Sequence, residues 1–234
     1  MKRVALLAAG VALTVLVAVQ VSTEPGTGSS RLVAEADTPT VAVGADILAG
    51  VPEIASRVRG HDYRRAAFGE SWDDDNDAPG GRNGCDTRND ILDRDLIEKS
   101  YVSIKRCPTA VATGTLVDPY TDETIAFVRG NQIGASVQID HIVPLALAWD
   151  LGARNWPDDL RLRFANDPAN LIAVAGGANQ DKGDSEPAAW MPPNRAFWCQ
   201  YAVQFAEVLR GYRLPVDMPS AQVLREAAAT CPTG

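Results

Sequence analysis

Five polar residues in the second half of the chain have types and spacing that could support chemistry. Asp140 and His141 are adjacent, Asn170 follows 29 residues after His141, Asn179 comes nine residues later, and Lys182 three after that. A histidine with a pKa near neutrality can take a proton from water. Carboxylate and amide oxygens are hard ligands suited to Mg²⁺ or Mn²⁺, which bind phosphate directly. The set is therefore suited to hydrolysing a phosphodiester.

The spacing also suggests how these side chains are brought together. Adjacent residues on a regular strand point to opposite faces, so Asp140 and His141 can converge only where a strand ends. Asn170 leads a second strand and is expected to brace the intervening loop through side-chain to backbone hydrogen bonds. Asn179 is expected on the next helix, where it would coordinate the metal together with Asp140. Lys182 shares the helix face of Asn179 and is expected to reach a substrate phosphate.

Apolar periodicity and turn signals predict a mixed α+β chain around these residues. A turn with Pro119 at its centre should join two β-rich runs into a hairpin. The pattern predicts strands over 113–117, 124–129, 136–142 and 170–174, and helices over 46–58, from a cap at Asn194 to near Gly211, and from 220 to about 230. The structure expected is one compact domain.

Several motifs resemble those of the HNH (His-Me finger, ββα-metal) endonuclease superfamily. The resemblance is closer to secreted members of the GmrSD-type restriction endonuclease C-terminal domain family, and it runs from about residue 60 to 231. The motifs that carry it are Asn83-Gly84-Cys85-Asp86-Thr87-Arg88, Arg94-Asp95-Leu96, Asp118-Pro119-Tyr120-Thr121, Asp140-His141-x-Val143-Pro144, Ala148-Trp149, Phe164-Ala165-Asn166-Asp167, Asn170-Leu171 and Asn179-x-x-Lys182-Gly183-Asp184. Asp122 departs from the pattern, since glycine is expected after the third of these motifs.

The resemblance implies a disulfide-stabilised α+β fold with a ββα-metal core over about 136–190, an additional β-hairpin and flanking helices. It implies a metal-dependent nuclease in which His141 is the general base, Asp140 and Asn179 hold Mg²⁺ or Mn²⁺, and Asn170 is the structural asparagine. The expected catalytic residues are His141, Asn170 and Lys182.

The amino terminus is typical of an exported protein. Lys2 and Arg3 precede an apolar run of 16 residues from Val4 to Val19, which is shorter than the ~20 residues that span a bilayer. We expect a signal peptide at 1–22, a flexible linker at 23–40 and a single nuclease domain at 41–234. The expected location is extracellular, without stable membrane association after cleavage of the leader. The alternative is an uncleaved N-terminal membrane anchor.

Export changes the expectation for the four cysteines, because an oxidising compartment favours disulfides. Four cysteines allow three pairings, and reduced thiols would be expected only in a cytoplasmic protein. The separations of 22, 92 and 32 residues between successive cysteines favour the two local closures. These pair Cys85 with Cys107 and Cys199 with Cys231.

Composition excludes several classes of protein. Two histidines, and four cysteines without a CxxC pair, exclude zinc fingers and iron–sulfur proteins. Lys and Arg total 22 against 30 Asp and Glu, a net charge of −8 that becomes −10 when the leader is removed. A global basic field for nucleic acid is therefore absent. Affinity for a polyanion must come from the metal and a few local cations, of which Arg88 and Lys182 are the candidates.

The sequence thus predicts a secreted, metal-dependent HNH endonuclease of low sequence specificity, with DNA favoured over RNA as substrate. A toxin of this kind would have an immunity or inhibitor protein as partner. The alternative is an exported, non-catalytic binding module on the same fold.

Overall fold

A computed structural model describes residues 38–130 and 136–233. The predicted signal peptide, and the linker as far as residue 37, lie outside the described residues. The described chain is a mixture of helices and strands, which confirms the α+β prediction. Its strands are β1 (Glu53–Ile54), β2 (Ile97–Ile104), β3 (Cys107–Val117), β4 (Thr124–Val128), β5 (Val137–His141), β6 (Leu171–Ala175) and β7 (Val216–Asp217). Its helices are α1 (Thr87–Asp95), α2 (Leu145–Leu151), α3 (Asp158–Asn166), α4 (Gly176–Lys182), α5 (Trp198–Gly211) and α6 (Met218–Ala228), with short 3₁₀ turns at Arg65–Phe68, Ala153–Asn155, Pro168–Asn170 and Arg195–Phe197.

The strands form three small sheets. β2, β3 and β4 make an antiparallel sheet in that order, β5 pairs antiparallel with β6, and β1 pairs parallel with β7. The predicted hairpin is confirmed as β3 and β4, whose register starts at the Val117–Thr124 pair beside the turn. The predicted strands at 136–142 and 170–174 are confirmed as β5 and β6.

The β5–β6 pair lies between two hydrophobic clusters. All five residues of β6 are buried. Ile172 and Val174 contribute to a cluster that includes residues of α2, α5 and α6. Leu171 and Ala173 point the other way, into a cluster with α1 and the three-stranded sheet, as alternation along a strand requires. Burial of an aliphatic side chain contributes roughly 1.5–3 kcal/mol, so this pair is a fixed support for the residues at its ends.

The two C-terminal helices were predicted from their apolar spacing and are confirmed. Residues of α5 and α6 that recur with the helical period, such as Phe205, Leu209 and Leu224, are buried in the larger cluster. Asp217 caps α6 by accepting a hydrogen bond from the Ser220 N–H at 2.9 Å. An N-terminal carboxylate also favours the positive end of the helix dipole.

The helix predicted over 46–58 is wrong. This segment forms turns followed by β1. Gly50 adopts a left-handed φ of 82°, and Pro52 has no N–H to donate to a preceding turn. The apolar residues that suggested a helix are still used, since Leu48 and Val51 are buried in the larger cluster.

Both predicted disulfides are present, with the predicted pairing. Cys85–Cys107 joins the segment before α1 to the start of β3, and Cys199–Cys231 joins the start of α5 to the segment after α6. The described part of the chain contains no free cysteine.

Replacing Cys85 and Cys107 together by serine is expected to lower the free energy of unfolding by about 3 kcal/mol, because the cross-link restricts a loop of this size in the unfolded chain. Urea denaturation of the oxidised protein measures the change. The matched control replaces Cys199 and Cys231, whose separation of 32 residues is close to the 22 of the first pair. It should lose a similar amount, since the entropic effect depends on the logarithm of loop length. A loss below 1 kcal/mol in both proteins would contradict this account.

Candidate active site

The predicted site residues lie on two antiparallel strands and the helix that follows them. His141 is the last residue of β5 and pairs with Leu171 at the start of β6. α4 begins immediately after β6, at Gly176. A cavity of about 470 Å³ opens beside these elements, and Asp140, His141 and Asn179 line it. The chain therefore brings three residues from the predicted set to one concave surface.

His141 is held with one ring nitrogen pointing at a backbone carbonyl. Its Nε2 lies 2.9 Å from the oxygen of Ala165. Because a carbonyl oxygen can only accept, Nε2 carries the hydrogen and Nδ1 carries the lone pair. The side chain is buried, and burial lowers the pKa of His141 to about 3. The imidazole is therefore neutral at neutral pH, with Nδ1 able to accept a proton.

Trp72 stacks on the His141 ring and restricts the orientation of the imidazole plane. The two rings stack with centroids 5.7 Å apart and an angle of 12° between their planes. Trp72 has a left-handed φ of 61°, and its carbonyl oxygen accepts from the Thr87 N–H. Trp72 could not be singled out from the sequence, because 69 residues separate it from His141.

Asn170 braces the loop that follows β5. Its side chain is fully buried. Oδ1 accepts from the Val143 N–H at 2.8 Å, and Nδ2 donates to the Val143 oxygen at 3.2 Å. The Asn170 carbonyl also accepts from the Ile142 N–H. These are the loop contacts that the sequence predicted for Asn170, and they fix the chain direction just after His141.

Asp140 is almost fully buried and makes two short contacts through one oxygen. Its Oδ2 accepts from the Tyr120 hydroxyl at 2.5 Å and from Lys182 Nζ at 2.6 Å. The pKa of Tyr120 is raised, chiefly by burial and secondly by the negative charge of Asp140. The phenol therefore keeps its proton and donates it to the hydrogen bond. Within the described ranges, Asp140 Oδ1 has no hydrogen-bond partner, so this oxygen is available to the cavity.

Lys182 lies on α4 as expected, but its side chain does not line the cavity. Its side chain is fully buried. Besides Asp140, its ammonium donates to the His141 carbonyl oxygen at 2.7 Å. Burial lowers the pKa of Lys182, and the nearby Asp140 carboxylate opposes that effect. The i+3 spacing from Asn179 was read correctly as a helical relation, but this side of α4 is turned into the protein.

Asn179 is half-buried at the cavity wall. Its Nδ2 donates to the Gln138 side-chain oxygen at 2.8 Å, which leaves Oδ1 as the amide atom for a metal. No group of three or more His, Cys, Asp and Glu side chains that could hold a metal occurs in the described residues. An ion held only by Asp140 and Asn179 would keep several waters, as Mg²⁺ does. The oxygen donors present therefore fit Mg²⁺ or Mn²⁺.

Two arginines contribute positive charge to the cavity. Arg88 of α1, predicted as a substrate contact, lines the cavity and donates to the Val137 oxygen at 3.0 Å. Arg65 is exposed on a 3₁₀ turn and lines the same cavity. The sequence analysis missed Arg65, although an arginine pair at 64 and 65 in a strongly acidic chain was a usable signal.

The chain is similar to known proteins over a segment that contains most of the residues lining this cavity. A family model described as GmrSD restriction endonucleases, C-terminal domain, matches residues 86–213, which is more than half of the chain. An uncharacterized secreted protein of Arthroderma benhamiae is 36% identical over 149 residues, covering 63% of this chain and 68% of the relative. Among the helices that the structure describes, none is long and apolar enough to cross a membrane.

Proposed function

The chain belongs to the family of GmrSD restriction endonuclease C-terminal domains, and from this premise we propose that it is a secreted, metal-dependent HNH endonuclease. Its proposed substrate is the phosphodiester bond of DNA and, to a lesser extent, of RNA. The observation that carries the proposal is the cavity in which the neutral His141 lies beside two oxygen-bearing side chains, Asp140 and Asn179.

The strands β5 and β6 and the helix α4 are the proposed ββα-metal core. Two antiparallel strands followed directly by a helix support this assignment, as does the Asn170 brace after the first strand. We place the core at about 136–190 within a single domain at 41–234. The β3–β4 hairpin and helices α5 and α6 are additions around it.

Asp140 Oδ1 and Asn179 Oδ1 are the atoms proposed to hold Mg²⁺ or Mn²⁺. The bound ion would neutralise negative charge that develops on the phosphate during hydrolysis. The protein contributes a buried carboxylate whose second oxygen is already occupied. It also contributes an amide whose orientation is set by Gln138. Fixed ligands of this kind reduce the cost of assembling the site.

His141 acts on the water nucleophile. Nδ1 takes a proton as the water oxygen attacks phosphorus, and the phosphorus–oxygen ester bond on the opposite side breaks. The leaving oxygen receives a proton from solvent. The bond from Nε2 to the Ala165 oxygen holds the correct tautomer and stabilises the imidazolium that forms.

Arg65 and Arg88 are proposed to contact phosphates of the substrate, since both line the cavity. Contacts to phosphate position a nucleic acid but carry no base information. Low sequence specificity follows from a site that recognises its substrate chiefly in this way. A chain with a net charge of −8 is also expected to bind DNA weakly. Because binding then depends on contacts to phosphates, cleavage should decrease as salt increases.

The proposed location is extracellular, with a signal peptide at 1–22 that is removed on export. The similar protein from A. benhamiae is described as secreted. The two disulfides fit an oxidising compartment.

Supercoiled plasmid incubated with the oxidised protein is expected to be nicked in Mg²⁺ or Mn²⁺ and left intact in EDTA. Cleavage should return when excess Mg²⁺ is added back, because EDTA removes only the ion. Single-stranded RNA serves as a parallel substrate, and circular dichroism checks folding in each buffer. Cleavage that persists in EDTA would refute the metal requirement. Absence of cleavage on both substrates by folded protein would favour the exported binding module instead.

A further inference from the structure

We propose that Tyr120 is a positioning residue for the metal ligand Asp140. Together with Lys182 it holds the carboxylate in one orientation, with Oδ2 turned into the protein and Oδ1 left for the metal. The inference rests on the proposed function and deepens it, because it assigns a role to a residue on a turn outside the strand–strand–helix unit.

The contacts at Asp140 define its orientation. The tyrosine hydroxyl and the lysine ammonium both donate to Oδ2, at 2.5 and 2.6 Å. Tyr120 and Lys182 are fully buried, and Asp140 is 5% exposed. Rotation of the carboxylate would break two hydrogen bonds from fully buried donors to a charged acceptor, and such bonds are among the stronger ones in proteins.

The turn that carries Tyr120 is fastened to the site. The buried side chain of Asp118 accepts from the Thr121 N–H and hydroxyl through Oδ2, at 3.1 and 2.6 Å. Its Oδ1 accepts from the Ala175 N–H at 3.0 Å. Ala175 is the last residue of β6 and directly precedes α4. The turn is therefore tied to the backbone from which Asn179 extends.

Aromatic packing fixes the tyrosine ring itself. Its centroid lies 5.0 Å from that of Trp190, 6.0 Å from Phe197 and 6.1 Å from Tyr201. With the ring held by these contacts and the turn held by Asp118, the hydroxyl has little freedom to move away from Asp140. The Asp118-Pro119-Tyr120-Thr121 motif thus serves the site as well as the hairpin.

Tyr201 offers a matched control inside the same aromatic cluster. It is also fully buried, but its hydroxyl has no hydrogen-bond partner in the described parts of the chain. Tyr201→Phe and Tyr120→Phe remove the same atom from the same kind of environment. They differ in whether that atom contacts Asp140.

The test measures Mn²⁺ binding in the His141→Ala background, in which turnover does not interfere, by electron paramagnetic resonance titration of free Mn²⁺. Tyr120→Phe is expected to raise the Mn²⁺ dissociation constant about tenfold, the usual size of effect for a residue behind a metal ligand. Asp118→Asn, which loosens the turn and keeps the hydroxyl, should raise it by a smaller factor. Tyr201→Phe should leave it unchanged.

Cleavage kinetics with His141 intact provide the second readout. In Tyr120→Phe, the Mg²⁺ concentration for half-maximal cleavage should rise by the same factor of about ten, while kcat at saturating Mg²⁺ stays within about twofold of wild type, since Asp140, Asn179 and His141 remain. Tyr201→Phe should match wild type in both.

The outcomes separate the inference from the function on which it rests. If wild type cleaves with metal, but Tyr120→Phe binds Mn²⁺ as its parent does, the positioning role is overturned and the nuclease stands. The same holds if kcat falls without a change in metal dependence, or if Asp118→Asn has full metal affinity. A wild type that neither binds Mn²⁺ nor cleaves would overturn both.

Discussion

His141→Ala is expected to reduce metal-dependent plasmid cleavage by about 10³-fold, the middle of the range for loss of a general base. Nδ1 of His141 carries the lone pair that takes the proton, because Nε2 is committed to the Ala165 carbonyl. Burial keeps the imidazole neutral at neutral pH, so the Nδ1 lone pair is unprotonated in nearly every molecule. Rates of nicking at saturating Mg²⁺ give the measurement.

The chain contains a matched control for this variant. His61 is the other of its two histidines and is exposed, so His61→Ala should cleave like wild type. Mn²⁺ affinity should survive in His141→Ala, because neither proposed ligand is removed. Cleavage by His141→Ala within tenfold of wild type would show that another group activates the water.

The site residues that could be predicted from the sequence are those marked by the local pattern of apolar and polar residues. Asp140 and His141 stand at the end of an apolar run, and Asn170 opens the next one. Their convergence then follows from strand geometry and from the pairing of β5 with β6. Patterns of this kind depend on neighbouring residues, so they can be read from a single chain.

The roles of the supporting residues were missed because their contacts are not local. Trp72 and Tyr120 reach His141 and Asp140 only through packing of separate segments. The burial of Lys182 was also not predictable from local pattern. Its helical spacing was evident, but a period of 3.6 residues does not say which face of a short helix turns inward.

Two helix assignments failed for opposite reasons. α1 was not predicted because its nine residues, Thr87–Asp95, contain only two aliphatic side chains. The helix instead begins at a cap, where Asp86 accepts from the Asn89 N–H at 2.8 Å. The segment 46–58 had the apolar spacing of a helix, but Gly50 and Pro52 gave it turns and a short strand. Capping and backbone restriction outweighed periodicity in both segments.

Lys182→Met is expected to lower the free energy of unfolding by about 3–5 kcal/mol, the usual cost of removing one partner of a buried ion pair. Methionine keeps an unbranched chain in the space of the lysine stem, so packing changes little. Asp140 would be left with Tyr120 as its one remaining hydrogen-bond donor in the described chain. The His141 carbonyl would also lose its contact with the ammonium. Urea denaturation with a common slope measures the change.

A double variant, Lys182→Met with Asp140→Asn, separates the charge effect from lost packing. Asparagine can still accept from the Tyr120 hydroxyl, and it leaves no buried charge in need of a partner. Replacement of both members of a buried pair by neutral groups is often close to neutral for stability. The double variant should therefore recover most of the loss, with a coupling free energy of about 2 kcal/mol or more between the two sites. Additive losses would show that Lys182 stabilises the fold through packing, and that Asp140 does not need its charge compensated.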